Sequence, residues 1–311
     1  MCIRDRNQDA GNGASVILSN NTNETSDITI GVDVSKFQGT IDWAQAASSG
    51  VDFAMIRVGY RAQKTGVIYA DTNAKYNMQQ AAANGIKVGA YFFSSAVNEA
   101  EAIEEADWVA DFIADYSITY PVAFDCEGFN TSESRQKSMT KAERTAVAAA
   151  FLQEIYDKGY TPMFYAASSE LTNNSQWNTA SLEQSFKIWV AQYPSTPYPE
   201  TPSTSYAGTY SMWQYTNQGR VAGIGTNVDI NVAYFGYSES NSSLSGETAA
   251  AASPDVEAGM VFTSVNDTVT AKDEVRLRDK PSQDTDATVI ATLINLSLIH
   301  ISEPTRLLSI S

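Results

Sequence analysis

The sequence predicts an α/β protein, an irregular TIM-like (β/α) barrel of eight strands, and three observations carry that prediction. Short apolar runs alternate with helical stretches across about 210 residues, a pattern that implies parallel strand pairing. Eight such runs can be counted, the number that closes a parallel sheet on itself. The helical stretches thin out after the fifth run, so the barrel is expected to be irregular. An open, doubly wound sheet is the alternative arrangement of the same pattern.

In chain order, the expected strands are residues 28–34, 53–59, 88–94, 121–127, 162–167, 187–192, 210–215 and 228–230. Each is a short run rich in branched or aromatic apolar residues. Helices are expected over 42–49, 72–84, 99–116 and 141–158, with a shorter one near Leu182. Gly50, Gly85 and Gly159 fall where a left-handed residue would end three of them. Asp42, just ahead of Trp43, reads as a helix N-cap rather than a catalytic acid. Arg57 is expected to pair with a buried carboxylate.

The ends of the chain are set aside. Met1-Cys2-Ile3-Arg4-Asp5-Arg6 is what one strand of a common transposase sequencing adapter encodes. Residues 296–306 read as the opposite strand continued, so 1–6 and 296–311 are taken as non-native. Residues 7–28, rich in Asn, Ser and Thr, are expected to be a flexible lead-in, 29–237 the barrel, and 238–259 a linker. No signal peptide is visible, and none is expected where the first residues are non-native.

This trimming changes the chemistry available. His300 and Cys2 drop out, leaving Cys126 as the one thiol and no histidine. Serine–histidine and cysteine–histidine nucleophiles then lack their base, and zinc lacks its usual ligands. No metal and no cofactor is expected. A net charge of −16 argues against a nucleic-acid partner, and no apolar run approaches the ~18 residues of a membrane span. The remaining chemistry must run on carboxylates.

Asp125 and Glu127 lie two apart at the end of the fourth run. On a strand both would face one way, about 6.5–7 Å apart along the backbone, at the barrel face where active sites sit. Cys126 between them should face the covering helices. A solvated acidic pair would account for that dipeptide alone, but Asp33 sits among apolar residues of the first run, a costly place for an idle charge. Asp229 lies in the last run, which a closed barrel places beside the first. Four carboxylates at one mouth repel, so at least one should hold its proton towards neutral pH, the arrangement that glycosidic cleavage requires. Tyr60, Tyr91, Tyr165, Trp189, Trp213 and Tyr215 could stack on sugar rings, with Gln214 adding hydrogen bonds. Ordinary barrel core accounts equally well for any one of these aromatics.

Seven segments carry a family resemblance. They are Gly31-Val32-Asp33-Val34-Ser35-Lys36-Phe37-Gln38-Gly39-Thr40-Ile41-Asp42-Trp43, Met55-Ile56-Arg57-Val58-Gly59-Tyr60 and Gly89-Ala90-Tyr91-Phe92-Phe93. Pro121-Val122-Ala123-Phe124-Asp125-Cys126-Glu127 follows, then Trp189-Val190-Ala191-Gln192-Tyr193, Trp213-Gln214-Tyr215 and Val228-Asp229-Ile230-Asn231. Together, over about residues 29–235, they resemble glycoside hydrolase family 25.

The resemblance implies a secreted or wall-associated muramidase, monomeric and metal-free, acting on peptidoglycan glycan strands. It implies a site of Asp33, Asp125, Glu127 and Asp229. Glu127 would be the general acid and then base. Asp125 would orient the substrate acetamido group, while Asp33 and Asp229 would stabilise positive charge. Tyr91 and Trp213 gain weight as substrate contacts from lying inside these motifs. Phe92 departs from the histidine or other polar aromatic of many relatives, which bears on subsites rather than on the chemistry. Retention and inversion of configuration both stay open.

Residues 260–295, through Val275-Arg276-Leu277-Arg278 and 287–293, resemble the opening of a bacterial Src-homology-3-type wall-binding module cut short. Two other functions compete. A chitinase-like hydrolase would want aspartates where Tyr120 and Ala123 stand, and a non-catalytic wall-binding protein has no need of four intact acids.

Overall fold

The computed structural model describes residues 17–238 and, beyond them, the strands Asp267–Thr270, Glu274–Arg278, Val289–Ile294 and Leu298–Ile301. Residues 1–6, the lead-in up to 16 and the linker from 239 to 259 lie outside the described residues. The chain divides into two compact units, Met1–Asn241 and Ser242–Ser311.

In the first unit all eight expected strands are present: β1 Thr29–Val34, β2 Phe53–Arg61, β3 Lys87–Phe93, β4 Val122–Asp125, β5 Pro162–Ala167, β6 Lys187–Ala191, β7 Met212–Gly219 and β8 Val228–Ala233. They pair in sequence from β2 to β8, and β1 bonds to both β8 and β2, closing the barrel. Strands β1 to β7 run parallel, but β8 runs antiparallel to both neighbours, against the expectation of parallel pairing. The reason is length. Only residues 220–227 separate β7 from β8, and a parallel crossover needs about a dozen or more. The reversal puts the first residues of β8, Asp229 among them, at the mouth where the other strands end.

The helices are α1 Trp43–Ser48, α2 Ala74–Ala83, α3 Glu99–Ile113, α4 Lys141–Asp157, α5 Ser168–Leu171 and α6 Thr179–Glu183. Asp42 caps α1 by accepting from Gln45 N at 3.1 Å, and Gly50, Gly85 and Gly159 have φ of 87°, 78° and 93°. Thr140 opens α4 with a reciprocal pair, its hydroxyl accepting from Glu143 N while Glu143 accepts from Thr140 N at 2.8 Å. Thr140→Ala is expected to cost about 1 kcal/mol, roughly 2–4 °C in a barrel of this size. Unchanged thermal melting would remove that cap from the account.

Period-two alternation sorts the strand residues into two cores. Phe53, Met55, Ala123, Met163, Trp189 and Met212 fill the barrel interior. Val32, Val34, Ile56, Phe92, Phe124, Cys126 and Trp213 face outward against Val109, Phe151 and other helix residues. Cys126 thus faces the helices as its parity required.

Residues 17–28, expected to be flexible, are instead fixed across the base of the barrel. Glu24–Thr25 pairs antiparallel with Gly236–Tyr237. The Asn20 amide donates to Tyr156 O and Tyr160 O at 2.8 and 2.9 Å, and Glu24 pairs with Lys187 at 2.7 Å. The polar side chains that make composition read as disorder hold this segment through amide hydrogen bonds, and Leu18 packs against the core. Beneath it, Tyr120 stacks on Phe53 at 4.4 Å and meets Tyr237 edge-on at 5.1 Å.

Among the described residues no helix is long and apolar enough to cross a membrane. In the second unit Glu274–Arg278 and Val289–Ile294 form an antiparallel pair, and Asp267–Thr270 pairs with Leu298–Ile301, inside the segment read as non-native.

Candidate active site

Asp33 lies one residue from the end of β1 and faces its register partner Asp229 on β8. Its Oδ2 accepts from Asn231 Nδ2 and Gln214 Nε2, both at 2.8 Å. Gln214 Oε1 accepts from the hydroxyls of Tyr165 (3.1 Å) and Tyr193 (2.6 Å), and Asn231 Oδ1 accepts from Trp189 Nε1 at 2.8 Å. Two side-chain amides therefore tie four strands to one carboxylate. Asp125 is the last residue of β4, and its Oδ1 is buried without a hydrogen-bond partner among the described residues. Glu127 lies past the strand end, not on it, and is exposed. Gly128, with φ of 65°, turns the chain there, and Gln63 Nε2 holds the Glu127 carbonyl at 2.9 Å.

The four acids share one open pocket of about 360 Å³. Tyr91, Tyr165, Trp189 and Gln214 line it with them. Among the described residues, no three histidine, cysteine, aspartate or glutamate side chains are grouped to hold a metal ion.

Burial and mutual repulsion set the protonation. Burial first, then the charge of Asp229, lifts Asp33 well above the usual carboxylate range, against the opposing bonds from Asn231 and Gln214. Asp229 is raised by burial and by Glu127, while its hydrogen bond with Asp33 pulls the other way. Asp33, the more buried partner, holds the proton between them. Asp125 is raised well above the usual range by burial, then by Glu127 and Asp33, with Arg57 opposing. Burial and nearby negative charge also keep the phenols of Tyr91 and Tyr165 protonated, so both can donate.

Not every expected residue reaches the pocket. Trp213 is fully buried on the outer face, its Nε1 donating to Gln192 O at 2.8 Å. Adjacent strand residues face opposite sides, so Gln214 facing in obliges Trp213 and Tyr215 to face out. Phe92 likewise packs outside the barrel against Trp108 and Phe151, at 5.7 and 6.4 Å, and has no bearing on a subsite. Tyr60 lies at the rim, stacked on Tyr69 at 5.5 Å, not among the pocket-lining residues. Arg57 pairs with the buried Asp71 at 2.7 Å, as expected, and also faces the pocket.

Sequence reasoning passed over Tyr193, Phe37 and Asn231. The first could have been found by continuing the alternation of Trp189 and Ala191 two residues past β6, and Asn231 by stepping two from Asp229. Phe37 sits on a short 3-10 turn and carries no periodic signal.

A closed barrel that gathers four carboxylates and flat aromatic rings at one mouth has the architecture of a glycoside hydrolase. The chain belongs to glycosyl hydrolases family 25, whose family model matches residues 32–224, more than half its length. It is similar to Lysozyme M1 of Streptomyces globisporus, with 28% identity over 213 residues, covering 65% of this chain and 66% of that protein. Among solved structures it resembles the modular autolysin LytC from Streptococcus pneumoniae, with a TM-score of 0.55 and 24% identity. That match covers 67% of this chain and 47% of the autolysin. The bacterial lysozyme from Streptomyces coelicolor matches with a TM-score of 0.51 and 24% identity, over 67% of this chain and 92% of that one. The chain thus spans just under two thirds of the length of Lysozyme M1 and less than half that of the autolysin. At such identities the solved structures establish a shared fold.

Proposed function

We propose that this protein is a muramidase that hydrolyses the β-1,4 bond between N-acetylmuramic acid and N-acetylglucosamine in peptidoglycan. The observation that carries the reading is Asp125, whose buried Oδ1 has no partner among the described residues and whose carboxyl is raised by burial and then by the charge of Glu127. A carboxyl so raised holds its proton above the ordinary carboxylate range. In the free protein burial favours that proton on Asp125. A bound sugar would strip water from the exposed Glu127, raising its proton affinity, while its acetamido N–H donates to Asp125 Oδ1 and lowers that of Asp125. Substrate binding therefore transfers the proton to Glu127, ready for the leaving glycosidic oxygen.

The bond from the anomeric carbon to that oxygen breaks as Glu127 protonates it. The acetamido oxygen, aligned by Asp125, bonds to the anomeric carbon as the leaving sugar departs. Water then attacks that carbon, giving a proton to Glu127, and the bond to the acetamido oxygen breaks, restoring the acetamido group. Asp229, ionised beside protonated Asp33, stabilises positive charge on the ring, while Tyr91, Tyr165 and Trp189 hold the sugar.

A peptidoglycan digest read by mass spectrometry tests this directly. Muramic acid at the new reducing ends is the expected result, and glucosamine there would reject the assignment. Action at the cell wall, after secretion, is part of the same proposal. So is the reading of 260–295 as a Src-homology-3-like wall-binding segment.

A further inference from the structure

The rim beside Asp33 carries side chains that acid–base chemistry does not require. Directly after β1, the 3-10 turn Lys36–Gln38 is fixed by a capping box, and Lys36 N donates to Asp71 Oδ2 at 3.1 Å. This turn holds Phe37 at the pocket edge with 70% of its surface exposed. Among the described residues no large hydrophobic side chain is more exposed than this ring, and it stands at the mouth of a sugar-sized pocket.

Phe37 and Tyr60 flank two cations. Lys36 Nζ lies 5.6 Å from both ring centroids, and Arg57 Cζ lies 5.1 Å from Phe37 and 5.6 Å from Tyr60. Asp71 Oδ2 accepts from both Arg57 Nε and Nη2, at 2.9 and 2.7 Å, which neutralises the guanidinium. Lys36 forms no ion pair among the described residues. One positive charge without an ion pair therefore stands 5.6 Å from the ring of Phe37, which lines the pocket of the four acids, in a chain of net charge −16. A neutral sugar would use the ring but not the charge.

We infer that Phe37, Tyr60 and Lys36 form a subsite for a sugar that bears a carboxylate substituent, with Phe37 stacking on the ring and Lys36 pairing the carboxylate. The inference rests on the muramidase reading and deepens it. The carboxylate can be the lactyl ether of a peptide-free muramic acid or belong to a stem peptide, and these share one chemistry. In either case the subsite favours wall glycan over chitin-like glycan by charge, with no change in the cleavage machinery.

The test uses the full chain and three substrates: peptide-free glycan strands, the same strands with their lactyl carboxylates converted to methylamides, and peptide-bearing strands. Both kcat/KM and the dissociation constant of the Glu127→Gln variant are measured at low salt. The carboxylate strands are expected to be preferred over methylamide strands by about two- to fivefold, the scale of a partly exposed ion pair, with the preference fading as salt rises. Lys36→Gln should bring the ratio to one and Lys36→Arg should keep it, while Phe37→Ala should weaken all strands alike. A preference among peptide-free strands assigns the carboxylate to the lactyl ether, and one seen only with peptide-bearing strands assigns it to the stem. Equal treatment of every strand by the unaltered protein, or a preference that survives Lys36→Gln, overturns the subsite. Cleavage without preference leaves the muramidase reading standing, whereas binding preference without cleavage removes that reading and keeps the subsite.

Discussion

Glu127→Gln is expected to lower kcat by about 10²- to 10⁴-fold on peptidoglycan, the scale of a general acid's contribution, with thermal melting unchanged. The two readouts separate because the Glu127 side chain is exposed and sits past the end of β4, where it supports the pocket's chemistry rather than the barrel's packing. The substitution also has a signed electrostatic consequence. Burial is the largest cause of the raised Asp125 carboxyl and the Glu127 charge the next. Removing that charge should move Asp125 downward without returning it to the ordinary range, since burial persists. Carbon-detected titration of the Asp125 carboxyl would follow this. Undiminished lysis, or an Asp125 titration that does not move, would separate Glu127 from the role given to it.

The fold was legible because the barrel's periodicities are strong and local. All eight strands fall within a few residues of their expected places, since each needed only a run of apolar side chains between turn signals. The direction of β8 was not legible, because the expected end of β7 at residue 215 left twelve residues before β8, enough for a crossover, whereas β7 runs on to Gly219 and leaves eight. The pocket side chains divide on the same rule. Asp33, Asp125 and Gln214 obey strand parity, so spacing carried them to one face. Trp213 was placed by motif membership where parity with Gln214 already excluded it. Glu127 and Phe37 follow no period, because a glycine turn and a 3-10 turn set their places. Asn231 was hidden by its type, an amide whose value lies wholly in holding Asp33 and Trp189.

Arg61→Met should be the most damaging single change to stability, because it strands a buried acid. Arg61 and Glu105 meet at 2.7 Å with side chains 5% and 0% exposed, and Ser94 Oγ donates to the other Glu105 oxygen at 2.6 Å. Burial outweighs both partners and raises Glu105 to about 7. A folded-state value above the unfolded one means that the proton is held more tightly in the fold. Stability from this group is then complete below about 4.5 and is lost as pH rises through about 7. Without Arg61 the folded value rises further and the lossy window widens upward. At pH 8 the variant must either keep an unpaired buried charge or take up a proton against the solution, costing about 3 kcal/mol, or roughly 6–12 °C. At pH 5, where Glu105 is already neutral, the deficit should shrink towards the loss of the Arg61 bonds to Gly66 O, Glu101 O and Glu104. Arg61→Met/Glu105→Leu should recover much of the pH 8 deficit, since no acid is left to strand. A deficit equal at both pH values would show that Glu105 does not titrate in this range. The damage should also reach the pocket. Two residues along from Arg61, Gln63 holds the Glu127 carbonyl, and Arg135 ties the following loop to Glu101 at 2.7 Å. Loosening this corner should therefore lower kcat at pH 8 more than at pH 5, relative to the unaltered protein.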